Sequence, residues 1–147
     1  MPKKRERNRF VKRGQVLILK IEDYAFGGKG IARIRSKEGE FVVFIPNTLP
    51  GQIVKAQVKK SSKKYAECKL IEVLQNSEDE IAVPYQDIPG APFIKLPIEL
   101  QHKYKKESTL SLFKRIGKVE NINDLFDEFI SSPKIFYYRN KMEYTFS

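Results

Sequence analysis

Tyr24-Ala-Phe-Gly-Gly-Lys-Gly-Ile-Ala-Arg33 is the stretch on which the fold turns. Gly28-Lys-Gly30-Ile-Ala-Arg33 opens like the G-x-G-x-x-G signature of dinucleotide-binding folds, but Arg33 stands where the third glycine belongs. The segment Ile31–Arg35 reads as a strand and not as a helix, so the phosphate-cradling reading fails. No lysine followed by Ser or Thr stands at P-loop spacing either. The glycines instead mark a tight bend at which neighbouring strands come close together.

Working outward, short strands lie on both sides of that bend. Val16-Leu-Ile-Leu-Lys-Ile21 precedes it; Ser36-Lys-Glu-Gly39 is a hairpin turn; Phe41-Val-Val-Phe-Ile45 is strongly β-prone. The two prolines of Pro46-Asn-Thr-Leu-Pro-Gly51 bar a continuing ladder. Gln52–Lys59 alternates, with Val54, Ala56 and Val58 on one face and Lys55, Gln57 and Lys59 on the other. Tyr65–Leu74 supplies a fifth strand, with Ala66, Cys68 and Leu70 on one side. Five short strands within residues 14–75 predict a small closed barrel of the OB or SH3-like kind.

The charge is concentrated in the same half. The 147 residues hold 28 Lys and Arg against 18 Asp and Glu, a net of +10. Residues 1–75 carry 18 basic and 7 acidic side chains, residues 76–147 carry 10 and 11. Such a balance points to a polyanionic partner. One cluster, Lys3 to Arg13, forms a basic and flexible arm over residues 1–13; the other is Lys55, Lys59, Lys60, Lys63 and Lys64.

Residues 76–97 form a proline-rich linker, acidic at Asn76-Ser-Glu-Asp-Glu80, with Pro84, Pro89, Pro92 and Pro97 beyond it. Residues 97–116 read as a helix opened by Pro97 and closed by Gly117, with Leu100, Tyr104, Leu112, Phe113 and Ile116 near one face. A second short helix is expected over 122–130, and one or two strands over Ile135–Ser147. The fold class is thus mainly β with some α: a five-stranded barrel and then, over 98–147, an α+β segment too small to stand alone.

Several functions are excluded. One Cys forbids an intramolecular disulfide framework and any multi-cysteine metal site, and one His forbids a His-only one. Cys68 reads as a buried structural thiol and His102 as a solvated helix residue. Glu120, Asp124, Asp127 and Glu128 lack calcium-loop spacing, so no metal site is expected. No apolar run approaches a membrane span, no secretory signal opens the chain, and no basic amphipathic helix suits a lipid surface. The expected compartment is the reducing cytoplasm. Aromatic rings beside cations on a small barrel are what single-stranded RNA binding requires; neither DNA nor a membrane is an expected partner. The candidate contacts are Lys29, Arg33, Arg35, Lys59, Lys60, Lys63 and Lys64 for phosphates, and Tyr24 or Phe26 for base stacking.

These residues carry a resemblance. Gly14-Gln-Val16, Tyr24–Arg33, Phe44-Ile-Pro-Asn-Thr-Leu-Pro-Gly51 and Val54 resemble a TRAM domain, a small OB-like RNA-binding barrel. Tyr85 to Pro92, Gln101, Lys105 and Tyr138-Arg-Asn-Lys-Met-Glu-Tyr-Thr-Phe-Ser147 resemble the start of the body of RNA (uracil-5-)-methyltransferases, in the ribosomal-RNA branch that carries TRAM domains. The resemblance implies the RNA-recognition portion of an S-adenosylmethionine-dependent enzyme acting on 23S rRNA, with Arg139 and Lys141 facing RNA or a catalytic domain. It implies that the nucleophilic cysteine, the base and the cofactor site lie outside this chain, which has no catalytic residue of its own. Many members hold an iron–sulfur cluster through C-x5-C-G-G-C; here Val83, Pro89 and Pro92 occupy the cysteine positions, so no cluster is expected. The alternative is a free-standing RNA-binding adaptor.

Overall fold

The computed structural model describes residues 11–37, 39–84, 91, 93–141 and 143. In chain order it contains β1 (Val16–Lys20), β2 (Asp23–Tyr24), β3 (Gly30–Ser36), β4 (Gly39–Ile45), β5 (Ile53–Ser61), β6 (Tyr65–Gln75), α1 (Ile98–Arg115) and α2 (Ile122–Leu125). The strands form one sheet in the order β1-β5-β6-β4-β3-β2. All neighbours are antiparallel except β4 and β6, which run parallel.

The two edges of that sheet are consecutive in the chain. Only Ile21 and Glu22 separate β1 from β2, and these residues are hydrogen-bonded to both neighbours. The Ile21 N–H donates to the Gln52 carbonyl at 2.9 Å, and the Glu22 N–H to the Ile31 carbonyl at 2.7 Å. Counting β1 and β2 as one bent strand, the order becomes 1-2-3-5-4-1. That is the partly open five-stranded Greek-key barrel of the OB kind. The expected closed barrel is therefore curled round a bent strand instead of closed by a ladder between its edges. The extra strand, Asp23–Tyr24, is too short to show a period in sequence.

Alternation fixes what lies inside. Phe41, Val43 and Ile45 of β4, Val54, Ala56 and Val58 of β5, and Ala66 and Cys68 of β6 are buried together with Leu19, Ile21 and Ala32. Burial pushes the Cys68 thiol up to about 11. The thiolate is the reactive form, so alkylation of Cys68 at pH 8 is expected to be at least tenfold slower in the folded chain than in urea. Equal rates would place Cys68 at the surface.

The bend is built by three glycines with two jobs. Gly27 and Gly28 take φ values of +91° and +85°, in the region that favours glycine. Gly30 supplies closeness: a Cβ there would fall on Thr48 Oγ1 and lie 3.0 Å from Ile21 Cγ2.

The remainder departs from expectation in several places. Val11 belongs to the barrel core, and its carbonyl accepts from Ser61 Oγ at 2.8 Å, so the barrel begins there and not at residue 14. Residues 1–10, the rest of the expected arm, lie outside the described residues. The acidic stretch after β6 is tied down. Glu80 Oε1 accepts from Gln52 Nε2 at 2.7 Å and from the Ser77 N–H at 2.8 Å, so this carboxylate serves a buried polar junction. α1 spans nearly the expected range, with Pro97 just before its first turn. The left-handed residue after it is Lys118, φ +58°, and not Gly117.

α2 stops at Leu125, short of the expected 130, with Phe126 already extended. A single turn does not propagate without packing, and among the described elements this one rests on α1. Lys106 Nζ sits 4.4 Å from the Phe126 ring centre, and the rings of His102 and Phe129 are 4.9 Å apart. Among the described residues after Pro133 there is no strand, contrary to expectation. Strand-prone sequence needs a ladder partner to satisfy its backbone, and none of the six strands pairs with it. Residues 142 and 144–147 lie outside the described residues.

Candidate nucleic-acid interface

The register assembles an outward face on β3, β4 and β6. Arg33 and Arg35 alternate outward along β3, with Val42 and Glu40 opposite them on β4; Ile31, opposite Phe44, is on the same side but buried. The parallel β4–β6 pairing sets Tyr65 beside Val42 and Glu67 beside Phe44. The rings of Phe44 and Tyr65 meet edge to face at 5.9 Å. The face is thus an apolar strip with two rings at its centre.

Two loops bound this strip at opposite ends of the β3–β4 pair. The β2–β3 loop carries Phe26 and Lys29 next to Gly30 and Ile45. It is pinned by the Ala25 N–H donating to the Lys29 carbonyl at 2.8 Å. Its Phe26 ring is 62% exposed. The β5–β6 hairpin carries Lys59, Lys60, Lys63 and Lys64, all exposed, and leads straight into Tyr65. Its tip is shaped by Ser62, whose Oγ donates to the Tyr65 carbonyl at 2.9 Å. Lys59 donates to Gln57 Oε1 at 2.8 Å. Among the described residues, no ion pair holds these four lysines.

Tyr24 is placed elsewhere. It is 3% exposed, with Phe93 at 4.5 Å and Tyr104 at 5.3 Å between ring centres, in a second apolar cluster with Leu49 and Leu96. Burial raises the pKa of its phenol well above the usual tyrosine value. Its ring is filled by protein contacts and is not free to stack a base, which corrects the expectation; of the two candidate rings, Phe26 is the exposed one. Sequence reading misses the function of Tyr24 as the pin between barrel and helix. It also misses Phe44 and Tyr65, although alternation through Phe41-Val-Val-Phe-Ile45 already sets Phe44 on the face opposite Phe41.

Arg33 and Arg35 are on the face but not alone. Glu22 takes Arg35 in a two-pronged pair, Oε1 to Nη1 at 2.7 Å and Oε2 to Nη2 at 2.9 Å, and Arg33 Nη1 at 3.0 Å. Glu40 lies 3.2 Å from Arg33 Nε and 3.6 Å from Arg35 Nε. The hydrogen bond from Arg35 holds the Glu22 carboxyl below its ordinary pKa, with Arg33 adding to it. Two cations and two anions thus cancel. Arg139 and Lys141 are exposed, far along the chain, and Lys141 Nζ pairs with Glu143 at 2.8 Å.

The chain's one thiol, Cys68, is inside the barrel. Pro89 and Pro92 lie outside the described residues. Among the described residues no three His, Cys, Asp or Glu side chains gather as a metal site, and no helix is long and apolar enough to cross a membrane.

Residues 11–71 match the family model of the TRAM domain. Over 140 residues, 91% of the chain, the sequence is 34% identical to an uncharacterized RNA methyltransferase of Caldanaerobacter subterraneus, of which it covers 29%. An uncharacterized RNA methyltransferase of Bacteroides thetaiotaomicron is 34% identical over 126 residues, 82% of this chain and 26% of that one. The solution structure of a conserved protein of Methanococcus maripaludis is 37% identical, covering 42% of this chain and 83% of that one, with a TM-score of 0.37. The chain spans under a third of the length of the curated relatives it matches. Residues 11–71 are therefore a TRAM domain, in a chain whose relatives are named RNA methyltransferases.

Proposed function

We propose that this chain is the RNA-recognition portion of an S-adenosylmethionine-dependent RNA (uracil-5-)-methyltransferase acting on 23S ribosomal RNA in the cytoplasm. One observation carries the RNA-binding part: the strip of Val42, Phe44 and Tyr65 runs into a hairpin of four exposed lysines, with Phe26 and Lys29 at the opposite end. OB barrels take oligonucleotides on the strand pair that corresponds to β3 and β4 and on these two loops. Rings stack bases whatever their identity, and lysines track the backbone. The names of the relatives support the methyltransferase part. In this reading the methyl donor and the catalytic groups belong to the parent enzyme outside these 147 residues. The chain alone transfers no methyl group. Arg139 and Lys141 face RNA or that catalytic part.

The test is binding of a single-stranded oligouridine by the full chain between 50 and 200 mM salt. For single strands each phosphate contact contributes about 0.7 to the slope of log affinity against log salt. Replacing Lys59, Lys60, Lys63 and Lys64 with Gln is expected to flatten the slope by about 2 to 3 and to weaken binding at least tenfold at low salt. Unchanged affinity and slope would remove the hairpin from the interface.

A further inference from the structure

The four charges on the β3–β4 side of the strip are arranged unlike the hairpin lysines. Both oxygens of Glu22 are engaged, by three guanidinium nitrogens at 2.7 to 3.0 Å, and Glu40 bridges the two Nε groups. A phosphate that took Arg35 would have to displace a two-pronged carboxylate and then sit beside two carboxylates. Like charges at such range act strongly against that pairing. The lysine hairpin across the strip has no carboxylate within ion-pair distance among the described residues, so a backbone gains by lying there. Tyr65 and Phe44 lie between the two sides.

We propose that Glu22, with Glu40, excludes RNA phosphates from the β3 side of the strip, so that a bound single strand keeps its backbone over the lysine hairpin and turns its base edges toward Arg33 and Arg35. The proposal rests on the RNA-binding function proposed for the chain. Glu22 is then a specificity-determining residue: the locked guanidiniums offer donors and the carboxylates acceptors, the groups with which proteins read exposed base edges. Arg33 and Arg35, phosphate contacts on the sequence reading, add little to the salt dependence of binding.

The experiment is oligouridine binding across the same salt range by the full chain and four variants. Glu22→Gln frees charge on both arginines. It is expected to tighten binding three- to tenfold and to steepen the salt slope by about 0.7. Glu40→Gln, at a more exposed position, should act in the same direction and serves if the first variant folds poorly. Glu120→Gln makes the same change of net charge outside the barrel and should have less than half the effect. Glu22→Gln/Arg35→Gln removes one charge of each sign and should leave the slope within about 0.3 of wild type. A slope that drops by about 0.7 in this double variant would show Arg35 holding a phosphate and overturn the proposal. So would Glu22→Gln and Glu40→Gln binding no tighter than the Glu120→Gln control. A wild-type chain without salt-dependent RNA binding would overturn the RNA-binding reading, and this one with it.

Discussion

Replacing Gly30 with alanine is expected to destabilise the chain by about 3 kcal/mol, and to lower its melting temperature by about 10 °C. The added methyl would occupy the place of Thr48 Oγ1 and press on Ile21 Cγ2 at 3.0 Å and on the Ile45 carbonyl at 3.3 Å. Thr48 is buried, and its hydroxyl donates to that carbonyl at 2.9 Å. The substitution therefore combines overpacking, which costs about 1 to 3 kcal/mol, with a disturbed buried hydrogen bond worth about 1 kcal/mol. Neither Ile21 nor Ile45 can retreat easily, because both are fully buried. The check is thermal unfolding of a double-mutant cycle. In a Thr48→Ala background the methyl finds room, so Gly30→Ala should cost less than half as much. Full additivity would mean that the two positions do not meet.

Tyr24→Ala is expected to cost about 3 to 5 kcal/mol, in the range of large aromatic truncations. The loss should fall unevenly. Tyr24 packs on Phe93 and Tyr104, whereas the main core holds Phe41, Val43 and Val54. Hydrogen exchange should therefore quicken most in α1, with β4 and β5 the last to open. A Tyr24 that served RNA and not packing would give the opposite result, with stability kept and oligouridine binding weakened. The tyrosine beside the glycine bend thus decides how firmly the helical segment is held to the barrel.

The strands and their inward faces are legible in the sequence because one residue in two is forced inward. Val54, Ala56 and Val58 announce their side through the polar residues between them, and the structure buries all three. Charge partners are not legible. Glu22 lies 11 and 13 residues from Arg33 and Arg35, and only the closeness of β2 and β3 brings them together. Composition counts two cations there; the fold counts none. Tyr24 misleads for a related reason. An aromatic beside a basic loop looks like a stacking ring until a distant segment, here Phe93 to Tyr104, covers it. Phe44 hides inside an apolar run whose alternation is masked by its own uniform hydrophobicity. The strand-prone residues after Pro133 show the converse: local propensity favours an extended chain, but a ladder needs two members.

The bend at Ile21 and Glu22 bears on how this barrel meets its neighbours. A sheet normally ends in two rows of unpaired amides and carbonyls on which another chain can add a strand, the usual first step toward swapped dimers and fibres. Here the terminal strands are five and two residues long, and they are halves of one bent segment. Among the described residues, neither end of the strand order therefore offers a foreign strand a long edge to copy. A highly basic chain can therefore crowd along a polyanion, many copies side by side, without the barrels knitting into a continuous sheet.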